Sequence, residues 1–212
     1  MTRIGVLALQ GDFREHARAV GRLGAEARAV RLPRDLAGLD GLIIPGGEST
    51  VMGKLMVEYQ LDQPLRDVIH AGLPTWGTCA GLILLARETD NALLGQPLLA
   101  AMDIRVCRNA FGAQRESFET NLVIPALGER PFHAVFIRGP IVESVGASVE
   151  ILARLEAPLP SMTASDTAQG ADIVAVRQGS LLGTAFHPEV TDDLRFHDYF
   201  LTIVRGASVG VA

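Results

Sequence analysis

Lysine is almost missing from this sequence: Lys54 is the only one in 212 residues, and the remaining basic side chains are scattered arginines. With 19 basic against 24 acidic residues the formal net charge is −5. No basic cluster runs beyond a residue or two, so the electrostatic footprint of a nucleic-acid binder is absent. Cysteine is scarce too. Cys79 and Cys107 cannot build a disulfide framework, and they are too far apart to form a C-x-x-C zinc or redox pair. Long apolar runs are lacking. The stretches around Gly81–Ala86 and Ala92–Met102 are broken by Arg87, Gln96, Pro97 or glycine, well short of the roughly 18 residues a membrane helix needs. The N-terminal MTRIGVLALQGD carries one basic residue and a short apolar run, too little for a secretory leader. A cytoplasmic protein with no membrane partner is expected.

What is present suits a folded α/β chain. The composition is 48% hydrophobic and 20% charged, and a chain near this size buries roughly 70% of its unfolded surface in one core. The first 90 residues alternate between strand and helix patterns. Ile4–Leu9, Ala27–Leu32, Leu42–Ile44 and Pro74–Gly77 read as strands. Phe13–Leu23, Ser49–Val57, Leu61–Ala71 and Ala80–Ala86 read as helices, the first and third stopped by Gly24 and Gly72. Such units predict a parallel sheet with helices on both faces. The second half turns strand-rich, at Met102–Val106, Phe118–Val123, Ala134–Arg138, Val149–Leu155, Ile173–Gln178 and Leu181–Ala185, the last two forming a hairpin around Gly179. Asp192–Val204 closes the chain as an amphipathic helix. Residues 156–170, rich in Pro, Ser, Thr and Ala, read as an exposed loop. No repeat or linker interrupts the chain, so residues 1–212 are expected to form a single domain.

The chemistry gathers at Gly77-Thr78-Cys79-Ala80-Gly81, between a short strand and an apolar helix. This is a nucleophile elbow with Cys in place of Ser. Two glycines let the strand turn sharply, and the sulfur is left at a helix N-terminus, where Ala80 N–H can hold an oxyanion. A structural cysteine beside a Gly-rich turn is the plainer alternative. A base is offered by Phe186-His187-Pro188-Glu189: Pro188 keeps His187 extended, and alternation then sets Glu189 on the same side to fix the tautomer. His16 and His197 lie in helical patterns and His70 near a helix end, where an exposed or half-buried role is expected; His133 reads as structural. Pro45-Gly46-Gly47-Glu48-Ser49-Thr50 is not a P-loop. Its glycines present amides to an anion, or it is an ordinary turn with Ser49 as N-cap; the residues alone leave both readings open.

Taken in order, LALQGDFREH, PGGEST, GTCAGLILLA, RNAFGAQRESFE, FIRGP and AFHPEVTDD closely resemble the glutaminase subunit of pyridoxal 5′-phosphate synthase, a class I (triad) glutamine amidotransferase. The matching blocks run from residue 4 to about residue 203. The resemblance implies a flavodoxin-like open, mostly parallel sheet with helices on both faces and a small additional strand layer. It also implies roles: Cys79 as nucleophile, His187 as general base and acid, Glu189 as third triad member. Gly47, Glu48 and Ser49 match the glutamine-binding loop, with Gly47 N–H as second oxyanion donor beside Ala80. Arg108, Ile137 and Arg138 match further glutamine contacts, and two arginines suit a substrate carrying an α-carboxylate. The loop at 156–170 looks longer than in that family. Cys107 has no role there and reads as a buried strand cysteine.

The expected activity is hydrolysis of L-glutamine to L-glutamate and ammonia, the ammonia passing to a separate synthase subunit that makes pyridoxal 5′-phosphate. The chemistry needs no metal or cofactor. Another class I amidotransferase, a γ-glutamyl hydrolase with the same triad, or a silent binding subunit would share parts of this pattern.

Overall fold

The computed structural model describes residues 1–90, 95–108, 117–155 and 172–209. The expected 156–170 loop and most of RNAFGAQRESFE lie outside them. The chain opens with strand β1 (Arg3–Leu7), helix α1 (Phe13–Arg22), β2 (Glu26–Val30) and β3 (Gly41–Ile44). Helices α2 (Ser49–Glu58) and α3 (Asp62–His70) lead to β4 (Thr75–Thr78) and α4 (Ala80–Leu85). Six strands follow: β5 (Ala86–Asp90), β6 (Met102–Cys107), β7 (Ser117–Leu122), β8 (Phe132–Ile137), β9 (Ile141–Val145) and β10 (Glu150–Arg154). The hairpin of β11 (Ile173–Gln178) and β12 (Leu181–Thr184) precedes α5 (Arg195–Val209).

The main sheet runs in the order β2-β1-β3-β4-β12-β11-β9-β6-β5, with β10 also paired to β11. From β2 to β12 every ladder is parallel, and β3 and β4 are buried along their whole length. Strands covered on both sides need no polar alternation, which is why LII and TWGT stand as plain runs. Beyond β12 the ladders to β11, β9 and β6 are antiparallel. Helices occupy both faces. Trp76 on β4 meets Phe196 and Phe200 of α5 on one side. Its neighbour Gly77 faces Gly81 of α4 on the other, and α2 packs on α4.

Two strands escaped the sequence reading. β5 (ARETD) is polar and lies at the sheet edge, and β9 (IVESV) has two apolar residues before its polarity rises; neither carries the alternation that marks a half-buried strand.

Register sets the working edge. Ile44 pairs with Gly77, and Thr78 with Thr184, so three parallel strands end side by side. The segments leaving them are Pro45-Gly46-Gly47, Cys79 and Ala185-Phe186-His187. A separate antiparallel pair, β7 with β8, forms the small extra layer. Its Phe132 and Phe136 pack on Phe186, and Val135 O accepts from His187 N–H at 2.9 Å. The extra layer therefore holds the histidine segment from outside.

Candidate active site

Cys79 sits between β4 and α4 with φ +46° and ψ −101°, a left-handed backbone that costs a non-glycine residue on the order of 1 kcal/mol or more. Its N–H donates to Thr184 O at 2.8 Å, which pins the turn to the neighbouring strand. A Cβ on Gly77 would lie 2.5 Å from the Gly81 backbone, and one on Gly81 2.0 Å from Ile44 O. Both glycines of the elbow are thus demanded by close approach of helix to sheet.

His187 stands opposite with its Nδ1 at 2.7 Å from Glu189 Oε1 and at 3.5 Å from Asp12 Oδ2. Nδ1–H donates to the carboxylate, leaving Nε2, which is buried without an aligned hydrogen bond, for the sulfur. Burial disfavours the charged ring, but the neighbouring Asp12, Cys79 and Glu189 side chains outweigh it and push the pKa up to about 12. Burial raises the pKa of Glu189, and the neighbouring imidazole only partly offsets this. Proximity of His187 to Glu189 comes from a 3-10 turn over Pro188–Val190 and not from strand alternation as the sequence suggested. A Cβ on Gly46 would meet His187 Cε1 at 2.3 Å, so the glycine loop makes room for the ring. Asp12, His187 and Glu189 also bring three possible metal ligands within 4.8 Å, but His187 Nδ1 could bind an ion only by giving up its bond to Glu189.

A cavity of about 200 Å³ opens on Cys79 and is lined by Gly47, Glu48, Ser49, Arg108, Ile137 and Arg138, with Ala80 and Ile83. All the residues singled out by sequence as nucleophile or ligand-binding border one space, and His187 and Glu189 stand behind it. Glu48, not Ser49, caps α2: its Oε2 accepts from Val51 N–H at 2.9 Å. Burial pulls the Glu48 pKa upward, and bonds from the amides of Val51 and Thr50 outweigh it and leave it lowered. Arg108 donates to Gln96 Oε1 (2.6 Å), Glu48 Oε1 (3.1 Å) and Thr50 Oγ1 (3.2 Å). Arg138 has no carboxylate partner among the described residues, and its backbone is left-handed at φ +48°.

The family model of the SNO glutamine amidotransferase family matches residues 6–205. The chain belongs to that family. It is a glutaminase. The pyridoxal 5′-phosphate synthase subunit PdxT of Clavibacter michiganensis subsp. michiganensis is 53% identical over 204 residues, 96% of this chain and 91% of the relative. The subunit of the same name from Pseudarthrobacter chlorophenolicus is 54% identical over 219 residues, covering 96% and 92%. A crystal structure described as a glutamine amidotransferase superposes with a TM-score of 0.83 at 47% identity, covering 95% of this chain and 98% of the other.

Against this amidotransferase frame several residues of the site stand out as missed by sequence. Gln10 Oε1 accepts from Glu48 N–H at 2.8 Å and steadies the glycine loop, Gln96 donates to Ser49 Oγ at 3.2 Å, and Asp12 faces His187. Asp12 stands at the N-cap of α1, but its side chain makes no cap bond and approaches the ring instead. His16 and His197 are fully buried, against the expectation of an exposed or half-buried role: their ring centroids lie 5.1 Å apart, and both rings stand against Trp76 of β4. Cys107 is half-buried at the end of β6. His70 and His133 are exposed, the latter bonded to Glu119.

Proposed function

We propose that this glutaminase is the ammonia-producing subunit of a pyridoxal 5′-phosphate synthase and works through Cys79, His187 and Glu189. The observation that carries the reading is the pairing of His187 Nδ1 with Glu189 at 2.7 Å while Nε2 is kept for the sulfur bordering the cavity.

Glutamine enters the cavity with its side-chain amide toward Cys79. The thiolate attacks the amide carbon, forming the C–S bond and placing negative charge on the oxygen, which Ala80 N–H and Gly47 N–H receive. Because the His187 pKa is high, the resting ring carries the proton, and it passes that proton to the departing nitrogen as the C–N bond breaks. Water then attacks the thioester, His187 takes its proton, and the C–S bond breaks to release glutamate. Glu189 holds the ring in the required tautomer and stabilises its charge. Arg138 and Arg108, with Glu48, Ser49 and Ile137, hold the amino-acid end; a site of about 200 Å³ suits a small metabolite.

The five parallel strands in the order β2-β1-β3-β4-β12 support a flavodoxin-like core, carried on one catalytic domain in the cytoplasm. The names of the relatives support a separate synthase subunit as partner. The test is glutamine-dependent pyridoxal 5′-phosphate formation by the chain mixed with a synthase subunit. A rise in kcat for glutamine on mixing supports the pairing. Glutamine hydrolysis without any product formation would move the chain to a different ammonia acceptor.

A further inference from the structure

His16, Thr78 and His197 are buried polar side chains that take no part in the reaction as described. The ring of His16, on α1, is fully buried. Its Nε2 stands 3.2 Å from Thr78 Oγ1 and 3.3 Å from Glu189 Oε2, and its Nδ1 lies 3.0 Å from His197 Nε2. His197, on α5, leaves its own Nδ1 buried without a partner among the described residues.

One placement of the protons leaves no buried N–H stranded. If His197 carries its hydrogen on Nε2, that N–H donates to His16 Nδ1, and the unpartnered Nδ1 of His197 is a bare lone pair instead of a stranded N–H. His16, accepting at Nδ1, then carries its own hydrogen on Nε2, pointed at Thr78 and Glu189. Both rings stay neutral: burial above all depresses the His16 pKa well below its ordinary value, and burial lowers that of His197 to about 4.

Glu189 Oε1 is occupied by His187, but Oε2 is buried and has no aligned hydrogen bond in the resting geometry. A carboxylate held by one oxygen can pivot, and a charged donor at the other would draw it away from the imidazolium it serves. A neutral N–H steadies the second oxygen without that competition. We propose that His16 is a positioning residue for glutamine hydrolysis: its Nε2–H braces the outer oxygen of Glu189 and, through Thr78, ties that carboxylate to the turn bearing Cys79. One nitrogen thus links the segment carrying the nucleophile to the segment carrying its base. The proposal rests on the Cys79–His187–Glu189 reading of the site.

Three variants of the intact chain test it in glutamine hydrolysis. His16→Phe removes both ring nitrogens and should lower kcat about tenfold to a hundredfold while KM stays within about twofold. His16→Gln places an amide nitrogen where Nε2 stood and should restore most of kcat. His16→Asn replaces only the Nδ1 side and should not. An unchanged kcat in folded His16→Phe, or His16→Gln no better than His16→Asn, overturns the brace. Nitrogen-15 NMR of the wild-type histidine rings gives an answer free of any folding defect: the brace requires a protonated Nε2 on His16, and a bare Nε2 there overturns it. Wild-type hydrolysis by His187→Ala would instead sink the underlying triad reading, a result the His16 series does not touch.

Discussion

Two glutamates stand on opposite sides of Cys79 and live in opposite surroundings. Glu189 lies behind the site, its side chain wholly buried against His187 and His16. Glu48 lies at the front with half its side chain exposed, bonded to the first turn of α2 and to Arg108. Burial lifts the pKa of the first; at the second, hydrogen bonds from the Val51 and Thr50 amides overcome the upward pull of burial and leave the pKa lowered. The same side chain therefore serves two ends. On the proposed mechanism the carboxylate in the dry rear governs where a proton sits, and the one at the wet front governs the shape of a cavity. Rear substitutions should act on kcat and front substitutions on KM.

Cys79→Ala should have the largest effect, cutting glutamine hydrolysis roughly 10⁴-fold or more with little loss of fold, as ammonia release and thermal melting would record. A glutamine-analogue electrophile should label Cys79 and spare Cys107; labelling chiefly at Cys107 would displace the nucleophile from the centre of the comparison.

The paired glutamate variants address the division directly. Glu189→Gln should lower kcat by roughly 10²–10⁴-fold, because the imidazolium loses the carboxylate that orients it. Glu48→Gln should raise KM several-fold with kcat nearly intact. Steady-state kinetics showing both variants losing kcat to the same degree would erase the distinction between rear and front.

Within the front, the two arginines differ. Arg138 has no protein carboxylate to satisfy it among the described residues, while Arg108 is held by Gln96, Glu48 and Thr50. Arg138→Ala should raise KM for glutamine about tenfold to a hundredfold with no change in melting temperature. Arg108→Ala should raise KM and also lower the melting temperature, since three polar groups lose their donor. A destabilised Arg138→Ala would show that its guanidinium too belongs to the scaffold.

The smallest effect concerns stability at the rear. The His197 pKa is near 4 in the folded chain against about 6.5 in the unfolded one, so between those values the unfolded chain binds a proton the folded chain refuses. The neutral ring costs nothing above about pH 6.5, and stability is lost as pH falls toward 4. Between pH 7 and pH 5 this amounts to about 1–2 kcal/mol. His197→Phe should be less stable at pH 7 but should lose less on going to pH 5, as urea midpoints at the two pH values would reveal.

The parallel half of the fold was legible because most of its strands are short and largely apolar and several are followed by glycine turns, each a local signal. The elbow was legible for the same reason: Gly77 and Gly81 are needed within five residues of one another. Gln10, Gln96 and Asp12 were not, since each acts across the chain on a partner that no local pattern marks; Gln96 bridges Ser49 and Arg108 from 47 and 12 residues away. His16 and His197 were expected to be exposed or half-buried because a polar side chain in a helix ordinarily faces water, and only their contact with each other and with Trp76 reverses that.

The hydrogen bond from His187 N–H to Val135 O has a consequence for chain length. Val135 lies on β8, and Ile137 and Arg138, two and three residues further on, border the cavity. Upstream, Arg195 grips Arg130 O and Pro131 O, leaving no slack between that anchor and the strand. Adding or deleting one residue between Pro131 and Val135 would turn the strand over, presenting its other side to Phe186 and carrying Arg138 out of the cavity. A substitution there alters one contact. A change of length would uncouple the proposed base and the proposed substrate-side arginine together, so this short strand is a ruler whose count of residues matters more than their kind.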